Sequence, residues 1–424
     1  MAADESAQAA KAQRTVVFVP FPAQGHVTPM LHLARAIAAR GGAVAASGEG
    51  DDGGGGRVTL APIPSGVRDD GGDEPPADFA GIVHAMEHHM PAHLEGLLRR
   101  NGRGVACLVV DLMASWAIPV AARWGVPAVG FWPVMFASYR AVAAIPELID
   151  KGFISESGTP LPLPANGVNE DEELNEHHEI GDLHVLPSKL ELSTNDLPWL
   201  VGGAASQKSR FAFWLDRQSP GSVIYVSFGS WVAPIGPDKI AEFAAGLEAA
   251  GRPFLWVVKD HPSWRAGLPN KFTETVAGRG KVISWAPQED VLRHQAVGCY
   301  VTHCGWNSTL EAVRHGVRMI CYPISGDQLI NCAYIVKMWE AGITLVSTDR
   351  SDVKDCIDMV MEGEVGRRLQ DKVNELREMV MVGDARRIAK RNLDLFVEEI
   401  RNDDIKMSLE AETTIRGYVQ RESV

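Results

Sequence analysis

Short apolar, β-branched runs alternate with helical patterns along most of the chain. Thr15–Pro20 (TVVFVP) is apolar throughout and ends at proline, the mark of a strand buried on both faces. After the loop Phe21–Val27, residues Thr28–Arg40 repeat apolar positions (Met30, Leu33, Ile37) on one helical face, and Gly41-Gly42 closes them. Further strands are expected at Arg57–Ile63, Val105–Val110 and Pro127–Phe131, with helices over Phe79–Arg99 and Ser115–Trp124. Strands spaced by helices of this kind build a parallel α/β sheet.

Residues 155–185 interrupt the rhythm with Pro, Gly and acidic residues, a composition suited to a surface loop. A second alternation begins at Ser222–Phe228. Its strands are Phe254–Val258, Lys281–Ser284, Cys299–Thr302 and Met319–Tyr322. Its helices are Pro237–Ala250, Asn307–His315 and Gln328–Ala341, and charged helix follows to the end. The chain's 424 residues suit two domains. The expected division is 1–214, 215–390 and a helical tail over 391–424.

Composition narrows the function classes. A net charge of −13 argues against nucleic-acid binding. The polar stretch Met1–Arg14 lacks the apolar segment of a signal peptide, and no apolar run is long enough for a membrane span. Six sparse cysteines, several inside apolar runs, fit reduced thiols and a cytoplasmic location.

The chemistry concentrates in Trp285–Gln328. There a strand ending at Val301-Thr302 turns through His303-Cys304-Gly305-Trp306-Asn307-Ser308 into a helix. Such a junction aims backbone N–H groups and the positive helix end at one spot, as a phosphate requires. His303, Asn307 and Ser308 add donors, and Glu311 offers a carboxylate to ribose hydroxyls. Trp285 supplies a flat face for a base and Gln288 an amide for its edge. Asp327 and Gln328 sit on the next strand–loop, where ligands of open α/β sheets bind. Two decoys fail their context. Gly48–Gly53 matches G-x-G-x-x-G but leads into more glycine rather than a helix. His294, Cys299, His303 and Cys304 match no standard zinc spacing.

This 44-residue window closely resembles the donor signature of the plant secondary-metabolite UDP-glycosyltransferases. The stretches FPAQGHVTPML (Phe21–Leu31), VVDLMASWA (Val109–Ala117) and SVIYVSFGS (Ser222–Ser230) resemble that family too. The resemblance implies a GT-B fold, with two Rossmann-like parallel-sheet domains facing across a cleft. It implies that Trp285 stacks on uracil, Gln288 hydrogen-bonds it and Glu311 holds the ribose. His303, Asn307, Ser308 and Ser230 would hold the diphosphate, and Trp306, Asp327 and Gln328 the sugar, with glucose preferred. His26 would be the general base, oriented by Asp111. The implied reaction is an inverting hexosyl transfer from UDP-glucose to a small lipophilic acceptor. It needs no metal, and no convincing Asp-x-Asp clip is present. A monomer is expected.

Three departures stand out. Only Ala43–Gly56 lies where the family has a full strand–loop–helix, so the first domain is expected to be shortened. Phe211–Leu215 runs straight into the next strand, where the family carries a further strand and linker. Arg318 replaces a usual proline, and Pro133 a Ser or Thr. The alternative these departures raise is a catalytically impaired UDP-sugar-binding protein with an incomplete acceptor domain.

Overall fold

The computed structural model describes residues 15–40, 43–46, 58–64, 79–101, 104–154, 179–180, 192–193, 212–229 and 235–402. These fall into two compact units. The first draws on the chain up to Pro133 and from Arg387 onward, and the second on Val134–Arg386. The divisions expected from the sequence, at 214 and 390, differ from these.

The first unit holds β1 (Thr15–Val19), α1 (Gln24–Ala38), β2 (Ala43–Ala46), β3 (Val58–Leu60), α2 (Phe79–Asn101), β4 (Val105–Asp111), α3 (Ala117–Arg123) and β5 (Ala128–Phe131). Its strands form one parallel sheet in the order β3-β2-β1-β4-β5. Strand β2 was not expected: AVAA is short and alanine-rich, with little β-propensity of its own. It nevertheless pairs in register with β1, Val16 beside Val44. Helix α1 begins before the expected Thr28, so His26 lies in its first turn rather than in a loop, with its N–H bonded to the Ala23 carbonyl at 2.9 Å. Pro29 is tolerated this early because it forfeits a single ladder bond.

The second unit continues with α4 (Phe136–Ala143), α5 (Ile145–Asp150), the short antiparallel pair β6 (Glu179–Ile180) and β7 (Leu192–Ser193), and α6 (Ala212–Leu215). Then come β8 (Val223–Ser227), α7 (Pro237–Ala250), β9 (Phe254–Val257), α8 (Pro262–Arg265), α9 (Phe272–Thr275), β10 (Gly280–Ile283) and α10 (Gln288–Leu292). They are followed by β11 (Val297–Thr302), α11 (Trp306–His315), β12 (Arg318–Cys321), α12 (Asp327–Ala333), β13 (Gly342–Thr344), α13 (Arg350–Met361) and α14 (Gly363–Met381). Helix α15 (Asp384–Asn402) returns to the first unit. Its Val397 and Ile400 are buried with Val16, Phe18 and Ile37, and Asp394 pairs with Arg40 at 2.7 Å. The described part of the segment expected as a tail, up to Asn402, thus contributes to that core.

Six parallel strands order the second sheet as β10-β9-β8-β11-β12-β13. The period of two along β8 explains its two cores. Ile224 and Val226 face α7 and α13 with Trp256, Val301 and Ile320, while Val223 and Tyr225 face the other way with Leu255, Tyr300 and Met319. Both faces are covered, which is why these strands read as unbroken apolar runs. The expected helix over Gln328–Ala341 stops at Ala333 and passes into a π-helical turn, Tyr334–Met338, where Trp339 N–H reaches back to the Tyr334 carbonyl at 2.8 Å. Among the described residues, no helix is long and apolar enough to cross a membrane.

Candidate functional site

In each sheet the strand order reverses at one place, and loops on either side of such a reversal diverge to leave a crevice at the strands' carboxyl ends. In the first unit the reversal lies between β1 and β4, in the second between β8 and β11. His26 and Asp111 lie at the first, His303, Asn307 and Ser308 follow β11 at the second, and Trp285, Asp327 and Gln328 follow the neighbouring strands β10 and β12.

At the first, His26 follows β1 and Asp111 ends β4. His26 Nδ1 and Asp111 Oδ2 are 2.8 Å apart, and Asp111 is fully buried while the imidazole keeps 20% exposure. An aspartate that follows a strand can cap a helix as well as hold a histidine. The carboxylate does both, because its other oxygen accepts the Met113 N–H at 2.9 Å and caps the helical turn Leu112–Ala114. Each oxygen therefore has one directional partner, and the side chain cannot rotate without breaking both. The Phe21 ring, 5.3 Å from the His26 ring centre, walls the pair on one side.

At the second reversal His303 follows β11 and is 92% removed from solvent, being 8% exposed. A side-chain carbon on Gly229 or on Gly305 would lie 2.4 Å from His303 Nε2, so glycine at both positions lets the two backbones close on the ring. Burial pulls its pKa down to about 4, with the Lys259 ammonium pushing the same way and the Ser227 carbonyl opposing. The imidazole is therefore neutral near pH 7, and its buried Nδ1 has no hydrogen-bond partner. Lys259, just past β9, was not anticipated. Burial lowers its own pKa to about 8, and its ammonium lies 4.7 Å from the centre of the Trp264 ring.

Helix α11 starts at Trp306, one residue before expectation, and its first internal bond runs from Thr309 N–H to the Gly305 carbonyl at 2.9 Å. The N–H groups of its first turn thus point out along the axis, and Asn307 and Ser308 belong to that turn. Helix α10 docks beside it through Glu289, which pairs with Arg314 at 2.9 Å and His315 at 3.4 Å. Docking brings Gln288 to Ser308 and Glu311, its amide nitrogen donating to both at 2.8 Å. The amide oxygen accepts from the Tyr300 hydroxyl at 2.8 Å, with the Tyr225 hydroxyl at 3.5 Å. These two tyrosines sit opposite each other in the β8–β11 register with rings stacked at 5.0 Å.

Gln288 is therefore held against the carboxylate expected to take the ribose. Burial raises the Glu311 carboxyl above its usual range, with the Gln288 amide partly offsetting this. Tyr225 and Tyr300 passed in the sequence as ordinary strand apolars. The signal was their register, which a single chain does not reveal.

Trp285 lies half-buried in the loop after β10, and Trp306 packs on the apolar cluster of Met135, Ala137 and Trp339. Gln328 spends its amide oxygen on the N–H groups of Ile324 and Ser325, at 2.9 and 3.1 Å, which leaves its NH2 for other work. Asp327 accepts from Asn331 Nδ2 at 2.7 Å. Ser230 and the glycine run 48–53 lie outside the described residues. The proposed zinc decoy is not assembled: His294 pairs with Asp216 at 3.1 Å and donates nothing to Cys299 or Cys304. Arg318 has a structural task in place of the usual proline, its guanidinium binding the carbonyls of Gly298 and Gly366 at 2.9 and 2.8 Å.

Comparison with known proteins bears on the family and the fold. Residues 200–374 match the family described as UDP-glucoronosyl and UDP-glucosyl transferase, and residues 12–48 match the N-terminal domain of a glycosyltransferase family. UDP-glycosyltransferase 82A1 of Arabidopsis thaliana is 38% identical, covering 91% of this chain and 98% of its own. DIMBOA UDP-glucosyltransferase BX9 of Zea mays is 34% identical over 86% of this chain and 90% of its own. Among solved structures, UDP-glucose: anthocyanidin 3-O-glucosyltransferase in complex with UDP superposes with a TM-score of 0.71 at 25% identity, covering 93% of this chain and all of that one.

The chain belongs to the plant UDP-glycosyltransferase family, has its GT-B fold and is a UDP-glycosyltransferase. The alignment with the Arabidopsis relative runs over 480 positions, more than this chain contains, so that relative carries segments without a counterpart here. No finding favours the impaired alternative.

Proposed function

We propose that the enzyme moves glucose from UDP-glucose to a hydroxyl of a small lipophilic metabolite, with inversion at the anomeric carbon. The observation that carries this reading is the 2.8 Å contact between His26 Nδ1 and the buried Asp111 carboxylate. With Nδ1 committed, Nε2 is the nitrogen left to take the acceptor's hydroxyl proton, and Asp111 stabilises the imidazolium that forms. The deprotonated oxygen attacks the anomeric carbon from the side opposite UDP, and one displacement inverts the centre.

The donor falls to the second unit. Trp285 stacks on uracil, Gln288 hydrogen-bonds it, and Glu311, held by the Gln288 amide, takes the ribose hydroxyls. The α11 first turn with Asn307, Ser308 and His303 takes the diphosphate, joined by Ser230. Trp306, Asp327 and the Gln328 NH2 meet the sugar. Charge developing on the departing UDP is met by the helix end and the neutral His303 N–H, so the step calls for no metal. Glucose and a small hydroxylated acceptor agree with the relatives' names, a DIMBOA glucosyltransferase and an anthocyanidin 3-O-glucosyltransferase. We place the enzyme in the cytosol as a monomer, where its six unpaired thiols stay reduced.

The test is incubation of purified protein with UDP-glucose or UDP-galactose and a panel of flavonoids and simple phenols, read by mass spectrometry and by proton coupling at the new anomeric centre. The expected result is a mono-glucoside of β configuration from the α-linked donor. Retained configuration, or no product with any acceptor, sinks the reading.

A further inference from the structure

We propose that Cys304, Cys321 and Cys332 form a binding site for a soft, thiol-seeking metal ion of the cadmium(II) class, and that filling it weakens donor binding. The three sulfurs come from separate elements: the turn between β11 and α11, the end of β12, and α12. They nevertheless lie within 4.8 Å of one another. All three side chains are buried, and no disulfide joins them. Sulfurs bound to one tetrahedral ion at a metal–sulfur distance of about 2.3 Å stand roughly 3.8 Å apart, and a larger soft ion spreads them further. The pocket therefore needs an inward shift of no more than about 1 Å.

Its donors are of one kind. The group contains no imidazole or carboxylate, and the Thr344 hydroxyl stands 3.8 Å from the Cys332 sulfur. A set made of thiols alone selects soft ions over hard, oxygen-seeking ones. On ligation each thiol loses its proton to solvent as a sulfur–metal bond forms, with no change of oxidation state. Lys337, whose field reaches Cys332, offsets the net negative charge that remains.

The inhibitory half rests on the donor reading above; the binding half does not. Cys304 holds a positive φ of 66°, a conformation that non-glycine residues seldom keep without support. Its N–H donates to Thr302 Oγ1 at 3.1 Å, and its carbonyl accepts from Asn331 Nδ2 at 2.8 Å. The same Asn331 amide holds Asp327. The residue after Cys304 caps α11, which carries Ser308 and Glu311, and the residue after Asn331 is Cys332. Drawing the three sulfurs together moves the α11 start and the Asp327 turn at once.

The experiment titrates cadmium(II) into the reduced full-length protein carrying Cys356→Ala, which removes the one thiol that is not fully buried. Thiolate-to-metal absorption in the ultraviolet and the affinity for UDP are read on the same samples. The expected result is an absorption step complete at one equivalent, with UDP affinity falling about tenfold. Cys321→Val and the volume-conserving Cys332→Ser should each abolish the step while melting cooperatively, and Cys107→Ala should leave it. No step at one equivalent, or the same step in both variants, overturns the site. A step with unchanged UDP affinity overturns the coupling. Absence of UDP binding before cadmium is added would instead strike the donor reading and leave the metal site standing.

Discussion

The first unit's reversal point, between β1 and β4, carries one hydrogen-bonded couple, His26 and Asp111, with the acid fixed by the Met113 N–H. The second unit's, between β8 and β11, carries a mesh in which Gln288 alone contacts Ser308, Glu311, Tyr300 and Tyr225. The same topology thus supports two designs. In the proposed function the first is a proton-transfer device, its role concentrated in two side chains, and the second is a donor-binding surface. A binding surface spreads its free energy over many contacts, so that each loss is partial. Damage at the first should appear in kcat and damage at the second in the donor KM.

The largest effect expected from a minimal change is Asp111→Asn. The amide oxygen can still accept from Met113 N–H, so the fold survives, but no charge faces the imidazolium. Steady-state kinetics should show kcat reduced about a thousandfold with the donor KM unchanged. An equal rise in KM would erase the contrast between the two designs. Next in size is Glu311→Ala, which removes a carboxylate worth about 1.5–3 kcal/mol to the ribose hydroxyls. The donor KM should rise roughly tenfold to a hundredfold while kcat at saturation holds.

Much of this was legible in the chain. The parallel α/β class, the helix over Pro237–Ala250 and the strand–turn–helix at His303–Ser308 followed from period and punctuation. What escaped was set by tertiary partners. Strand β2 exists because β1 offers it a neighbour, not because AVAA favours extension. Gly363, at φ 70°, divides the charged C-terminal run into α13 and α14. The Gln288 amide, expected to read a base edge, also carries bonds to Tyr300, Ser308 and Glu311 that the sequence does not show. The cysteine triad was hidden because its members sit on three different elements and their spacing matches no standard metal motif, so only the fold brings the sulfurs together.

Tyr300→Phe sharpens the comparison at smaller scale. It deletes the 2.8 Å bond that fixes the Gln288 amide and leaves the Tyr225 hydroxyl at 3.5 Å. A loss of about 1 kcal/mol predicts a donor KM raised about fivefold with kcat intact. If Tyr300→Phe changed kcat alone, the tyrosine would not be acting through the donor.

The last prediction concerns stability rather than turnover. The folded protein holds His303 at a pKa of about 4, below the ordinary 6.5. As pH falls from about 6.5 towards 4, the unfolded chain takes up a proton that the folded chain refuses. The stability is therefore fully present above that window and lost within it, up to about 3 kcal/mol. Thermal melts of the wild type should drop across this range more steeply than those of His303→Gln. Parallel curves would show that the ring is not held neutral.

The central claim is that proton transfer and donor binding reside in separate side chains. Its most direct test is calorimetric titration of UDP into His26→Ala beside turnover of the same sample. The account predicts UDP affinity within a factor of about two of the wild type, with turnover lowered by about 10²–10⁴-fold. Substantial turnover in His26→Ala, or loss of UDP binding along with activity, would contradict it.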